Sequence, residues 1–338
     1  MYTRKGIRIL LLAVLLFLLF ILDLLTGAVE LSIGSLFDYL LGEPIDQRDF
    51  LIIHYSRFPK AFTALICGAA LSVAGLQMQT LFRNPLAGPY ILGISSGAGL
   101  GVAILLMGAG FFGISALYSW SLAAAAFGGA FVILLILLLL SFRIKDVMTL
   151  LIVGIMIGAV ATALIGILQY FSNDFQLKSF VIWSLGSLDS LSYDKLFLMM
   201  GVVLLACLMA FLNSKSLNSL LMGERYAKSI GVDINRIRFY SILSTGLLAG
   251  TVTAYCGPIG FIGVVVPHLS RMIFQTTDHS WLIPICMISG GIILLVADIL
   301  SHWLVEQTAL PINSITALLG IPIIIWILLS KKRISNSF

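Results

Sequence analysis

Hydrophobic residues recur along this chain in runs of about 20, the length of an α-helix that crosses the hydrocarbon core of a bilayer. Segments 7–25 and 123–140 are two clear examples. The runs are continuous and do not alternate over ~10-residue segments, which excludes a membrane β-barrel and favours helices. The pattern predicts ten spans, at 7–27, 60–82, 90–110, 119–142, 148–171, 193–212, 238–256, 259–275, 281–303 and 312–330.

Composition supports an integral membrane protein that is all-α. Hydrophobic residues make up 60% of the 338 positions and charged residues only 10%, whereas soluble domains carry about 25% charged residues. Ten spans in this length leave no room for a separate soluble domain, so residues 1–338 are predicted to form a single transmembrane domain. The first apolar run is longer than the ~7–15-residue core of a signal peptide and is interpreted as a true span.

The distribution of basic residues predicts the orientation. With both termini inside the cell, the inner segments hold 15 of the 20 Lys and Arg residues and the outer segments hold 5. This asymmetry follows the positive-inside rule. The net charge of +5 is therefore explained by topology, and nucleic acid is not an expected partner.

Few residues in the chain suit bond chemistry. The four cysteines lie in or at the ends of spans without CxxC spacing, so neither a disulfide framework nor a zinc site is predicted. No P-loop motif occurs. Segment 93–97 matches GxSxG around Ser95, but a nucleophile elbow needs a strand–turn–helix context. The candidate partners His268 and His302 lie near opposite membrane faces, which disfavours an intramembrane protease.

Transport is the better interpretation, with the energy source outside the chain. Asp298, near the outer end of its span, is the main ionisable residue within a span, so ion coupling lacks the midplane carboxylates it usually needs. An ion-coupled secondary transporter remains the alternative. Segment 213–237 is predicted to form two short helices on the inner side, separated by a turn at Gly223 and ending near Gly231. Such a folded inner elbow indicates a docking site for a partner that supplies energy.

Other segments refine this picture. Segment 28–57 contains an amphipathic helix expected in the outer interface. Segment 172–192 is predicted to form a short helix at the outer mouth, where Trp183 is either a packed residue or an interfacial belt residue. A structural turn formed by Asn84, Pro85, Gly88 and Pro89 separates the second and third spans.

Several sequence blocks resemble the FecCD-type permease subunits of ABC importers for iron-siderophores, haem and cobalamin. The blocks are 57–60 (RFPK), 68–71 (GAAL), 77–79 (QMQ), 83–89 (RNPLAGP) with 92–94 (LGI), 183–187 (WSLGS), 222–231 (MGERYAKSIG), 260–263 (GFIG) with 267–268 (PH), and 310–312 (LPI) with 320–322 (GIP). They occur in family order from about residue 57 to 331. The resemblance implies a type II importer permease with ten spans in the bacterial inner membrane.

The resemblance also implies partners. These are a second copy of the permease, two ATPase subunits inside, a periplasmic or lipid-anchored solute-binding protein outside, and the lipid bilayer. No cofactor is expected in this chain, because ATP and Mg²⁺ would be bound by the ATPase. The implied cargo is an iron chelate, with cobalamin or haem as the alternative.

Individual roles follow from the same resemblance. Arg57 and Lys60 are expected to be exposed docking cations for the binding protein, joined by His302, whose contact would depend on pH. Val147 and Met148 match a cytoplasmic gate. The expected ATPase-coupling residues are Met222, Gly223, Glu224, Arg225, Tyr226, Ala227 and Gly231. Within that set, Glu224 and Arg225 would pair with a polar rim, while Tyr226 and Ala227, with the nearby Ile230, would make apolar contacts.

Overall fold

The computed structural model describes residues 2–108, 119–189, 191–304 and 309–329, and within these ranges every regular element is helical. Among the described residues, seven helices are long and apolar enough to cross a membrane. Three shorter apolar helices occupy residues 94–108, 262–274 and 312–327. Each predicted span overlaps one of these apolar helices, and the apolar helix 47–81 begins well before the predicted start at residue 60.

The helices follow one another along the chain with short connections. In order they are α1 (Tyr2–Leu25), α2 (Ile33–Leu41), α3 (Gln47–Ile52), α4 (Phe58–Leu81), α5 (Ile94–Ala103), α6 (Ser119–Arg143), α7 (Val147–Phe171), α8 (Asp174–Ser184), α9 (Tyr193–Leu212), α10 (Ser214–Leu221), α11 (Glu224–Ser229), α12 (Ile234–Cys256), α13 (Ile262–Phe274), α14 (His279–Trp303) and α15 (Ile312–Leu329).

Polar caps fix where several helices begin, because the first backbone N–H groups of a helix have no partner within it. Asp146 accepts from the Thr149 N–H at the start of α7, and Asp233 accepts from backbone N–H groups at the start of α12. At α8 a capping box pairs Asn173 with Gln176. This confirms a short outer helix in segment 172–192.

Helix α4 is the centre of the bundle and is buried along most of its length. It packs against α14 and α13 at glycine pairs. A Cβ atom at Gly75 would overlap the backbone carbonyl of Gly263, and one at Gly68 would overlap that of Gly290. Small residues let helix backbones approach closely in a membrane, where apolar side chains alone give little driving force.

Two interruptions shape the ends of the bundle. A π-helical turn, Ile53–Arg57, joins α3 to α4, and a second, Ile104–Gly108, follows α5. Helix α13 has only 13 residues, begins after an irregular Gly257–Phe261 connection, and contains Pro267. The span predicted at 259–275 is therefore short and begins after irregular backbone. Irregular backbone at membrane depth is tolerated where it is buried in protein or lines a cavity.

Candidate transport sites at the two ends of the bundle

The inner segment 213–237 forms α10 and α11, joined at Gly223. Gly223 has a φ of 112°, a backbone conformation that glycine adopts without strain. Three apolar side chains on this elbow are exposed: Met222 at 73%, Tyr226 at 50% and Ile230 at 53%. Because these side chains point away from the helical bundle, they form an apolar surface that we call the coupling surface.

Two expected contact residues of this segment point into the chain instead. Ala227 is fully buried, so its expected apolar contact with an ATPase is wrong. Its place on the inner face of α11 packs it into the core cluster that contains Leu220 and Ile237. Glu224 is also engaged within the chain, since its Oε1 lies 2.8 Å from Arg238 Nη2. Arg225 is exposed, as an external contact requires.

The expected gate residues, Val147 and Met148, open α7 after a three-residue connection from α6. Val147 is half-buried and Met148 is exposed. Asp146 holds this connection by accepting hydrogen bonds from both the backbone and the hydroxyl of Thr149, each at 2.7 Å. These bonds, the hydroxyl one first, lower the pKa of Asp146. The carboxylate therefore stays ionised and the cap stays formed.

A second inner connection, between α4 and α5, contains the expected turn residues. Asn84 accepts from the Leu86 N–H through its side chain and from the Ala87 N–H through its backbone carbonyl, which closes a tight turn. Pro85 lies inside this turn. Gly88 precedes Pro89, which begins a short 3₁₀ helix, Pro89–Leu92.

The inner elbow is also tied to α14 by polar contacts that sequence reasoning missed. The Asn218 amide donates to Asp278 Oδ1 at 2.7 Å and accepts from the His279 N–H at 2.8 Å. Burial acts to raise the pKa of Asp278, but hydrogen bonds from Ser280 and Asn218 outweigh it and the pKa is lowered. Asp278 also caps α14. Nothing in the spacing of these residues signals that they meet.

The outer ends of α1, α4 and α14 enclose a buried ionic cluster. Arg57 is 4% exposed and Lys60 is 2% exposed. Lys60 Nζ lies 2.7 Å from Asp298 Oδ2 and 3.8 Å from Asp23 Oδ1. Arg57 donates to the backbone carbonyls of Thr26 and Val29 in the segment after α1.

This cluster corrects the expectation of exposed docking cations. Arg57 and Lys60 do share the outer end of the second span, but acidic and carbonyl groups of the same chain surround them. His302 belongs to the same cluster, because its Nδ1 lies 3.0 Å from the backbone oxygen and 3.8 Å from the carboxylate of Asp298. Its side chain is largely buried, so it does not present an imidazole to the exterior. Asp23 was missed, although its depth in the first span matches that of Asp298 in the ninth.

The bundle also contains a cavity of about 220 Å³. It lies between the end of α8 and the outer end of α12 and is lined mainly by apolar groups, including Trp183, Leu191 and Tyr255. Trp183 is partly buried and packs against the core, which favours the packed alternative for this residue.

Comparison with known proteins decides the family. The FecCD transport family model matches residues 15–330. The chain belongs to this family. It is therefore a transport permease subunit with the fold of a type II ABC importer permease, a multi-pass protein of the bacterial inner membrane.

Named relatives of this FecCD permease agree with that assignment. It is 37% identical over 292 residues to the vitamin B12 import system permease protein BtuC of Klebsiella pneumoniae subsp. pneumoniae, covering 86% of each chain. Its identity to BtuC of Shigella boydii serotype 18 is 36% over 332 residues, covering 98% of this chain and 97% of that one.

A solved structure extends the agreement to the fold. The FecCD permease superposes with a TM-score of 0.82 on a metal-chelate type ABC transporter in an inward-facing conformation. The two chains are 31% identical, and the match covers 95% of this chain and 97% of the other. ABC importer permeases work with ATPase and solute-binding subunits.

Proposed function

We propose that two copies of this chain, each a single permease domain spanning residues 1–338, form the membrane path of an importer for a large metal chelate. Two ATPase subunits bind on the inner side, and a solute-binding protein delivers the cargo outside. The observation that carries this proposal is the coupling surface, where Met222, Tyr226 and Ile230 are exposed on a folded inner elbow.

The energy source is assigned to the partner. The chain has no P-loop, and an exposed apolar surface beside charged residues has the composition of a protein–protein contact. ATP and Mg²⁺ are bound by the ATPase, and the permease holds no cofactor.

The path is assigned to the contact between two copies. One side of α7 packs on α5, where Gly93 lies against Gly158. Its other positions are exposed from the inner to the outer end, among them Met148, Ile152, Val160 and Ile167. In the dimer this face of α7 lines the path, and Val147 and Met148 form the inner constriction.

The binding protein docks on the outer ends of the helices. The buried cluster holds the outer ends of α1, α4 and α14 together. Arg57, Lys60 and His302 therefore affect docking indirectly, by fixing the shape of the surface that these helix ends form.

Cobalamin is the first candidate cargo, because the vitamin B12 permeases match nearly the whole chain. An iron chelate is the second candidate, favoured by the likeness to a metal-chelate type transporter. The apolar cavity of about 220 Å³ within one copy does not distinguish the two solutes.

Competition for uptake separates the two candidates. In cells that express the complete system, we expect unlabelled cobalamin to abolish uptake of radiolabelled cobalamin, and excess ferric siderophore to leave it unchanged. Cells that lack only this permease are the control. Uptake of ferric siderophore without any cobalamin uptake would assign the iron-chelate cargo and reject the corrinoid.

A further inference from the structure

One arginine on α12 contacts both the inner elbow and the connection that precedes the gate. Arg238 lies one turn into α12 and its side chain is 3% exposed. Its Nη2 lies 2.8 Å from Glu224 Oε1, at the start of α11. Its Nη1 donates to the backbone carbonyl of Ile144 at 3.5 Å. Ile144 is three residues before Val147.

The geometry of the Arg238 side chain allows it to connect two structural elements. A guanidinium presents several N–H donors in a rigid plane, so it holds two acceptors at a fixed separation. A buried charge that loses its partner is strongly unfavourable. Movement of Glu224 therefore favours a matching movement of Arg238, and with it of the connection that holds Ile144.

Apolar packing around the arginine reinforces this link. Ala227 of α11 and Ile237 of α12 belong to one core cluster, and Ile144 and Val147 pack against it. The rings of Phe142 on α6 and Phe239 on α12 lie 5.8 Å apart. Close-packed interiors transmit displacement because they have little free volume.

The connection between α6 and α7 is expected to move as a rigid unit. It has only three residues between α6 and α7, and Asp146 locks it onto the first turn of α7 through Thr149. A displacement at Ile144 therefore reaches Met148 at the inner end of α7 without being absorbed by a flexible loop.

We propose that Arg238 is a positioning residue that carries movement of the ATPase-coupling elbow to the gate, through Glu224 on one side and the backbone of Ile144 on the other. This inference rests on the proposed function. It predicts that loss of Arg238 separates ATP hydrolysis from gate movement, so that hydrolysis continues while the gate responds less to it.

The test follows the gate directly and needs no cargo. The four native cysteines are replaced by alanine and Met148, which is exposed, is replaced by cysteine. The assembled complex with its ATPase, in inverted membrane vesicles, is treated with a membrane-impermeant maleimide without nucleotide and after trapping with MgATP and vanadate. In the Met148→Cys chain with native Arg238, we expect the labelling rate to differ between the two states.

In Arg238→Gln we expect ATP hydrolysis to continue and the nucleotide-dependent difference in labelling to fall about threefold to thirtyfold. Arg238→Lys keeps the charge but cannot hold both acceptors, so an intermediate response is expected. Arg236→Gln is the matched control. Arg236 lies on the same turn, is exposed and pairs with the nearby Asp233, so the response should be unchanged.

Each outcome has a definite meaning. An undiminished labelling response in Arg238→Gln overturns the inference and leaves the proposed function standing. If that variant does not assemble, an undiminished response in Arg238→Lys overturns it equally. Loss of ATP hydrolysis together with the response would show that Arg238 acts in ATPase docking, which also rejects the inference. No response in the chain with native Arg238 would reject both the proposed function and the inference.

Discussion

Replacing both Met222 and Tyr226 with lysine is expected to abolish ATP-driven import while the helical bundle still folds. Both side chains are exposed on the coupling surface, so the substitutions bury no charge within the chain. At an interface, loss of an aromatic anchor costs about 2 kcal/mol or more, which weakens binding about 30-fold. Affinity of the purified ATPase for the permease in detergent measures the effect.

The control variant adds one positive charge elsewhere on the inner side. Asn235→Lys lies at the exposed start of α12, outside the coupling surface. It should bind the ATPase as the native chain does. Native affinity in the double lysine variant would show that the ATPase docks on a different surface.

Replacing Lys60 with methionine is expected to destabilise the permease by about 3–5 kcal/mol, because it leaves buried carboxylates without their cation. Asp298 loses a contact at 2.7 Å, and the Asp23 carboxylate, which is fully buried, loses its nearest cation. The loss of stability is measured by heating the detergent-solubilised chain and monitoring the remaining folded protein by size-exclusion chromatography.

Two further variants separate charge from packing. Asp298→Asn in the Lys60→Met background removes one uncompensated charge and should restore part of the stability. Lys178→Met changes an exposed lysine on α8 and should have little effect. If Lys60→Met melted at the native temperature, the ionic cluster would have no structural role, and the original expectation of free docking cations would regain support.

Most of the fold could be predicted because apolar run length and glycine or proline position are local signals. The continuous apolar runs predicted the positions of the helices. Pro85 and Gly88 marked the turn between the second and third spans, and Gly223 marked the turn between α10 and α11. These features depend on a few neighbouring residues and on the bilayer thickness.

Burial at the sites could not be predicted in the same way, because it depends on contacts between distant parts of the chain. Lys60 is enclosed by carboxylates from the first and ninth spans, and neither is near it in sequence. Glu224 and Ala227 lie on the inward side of a six-residue helix, too short for its periodicity to show which face is exposed. The identity of the cargo is harder still to predict, because apolar cavity walls offer few polar groups that would select one solute.

Uptake into proteoliposomes tests the central claim most directly. The permease is reconstituted with its ATPase, ATP is enclosed, and the loaded binding protein with radiolabelled cobalamin is added outside. We expect accumulation that requires hydrolysable ATP, stops with a non-hydrolysable analogue, and persists when a protonophore or a sodium ionophore collapses the ion gradients. Accumulation driven by an imposed proton or sodium gradient, with the permease alone and no ATPase, would contradict the account.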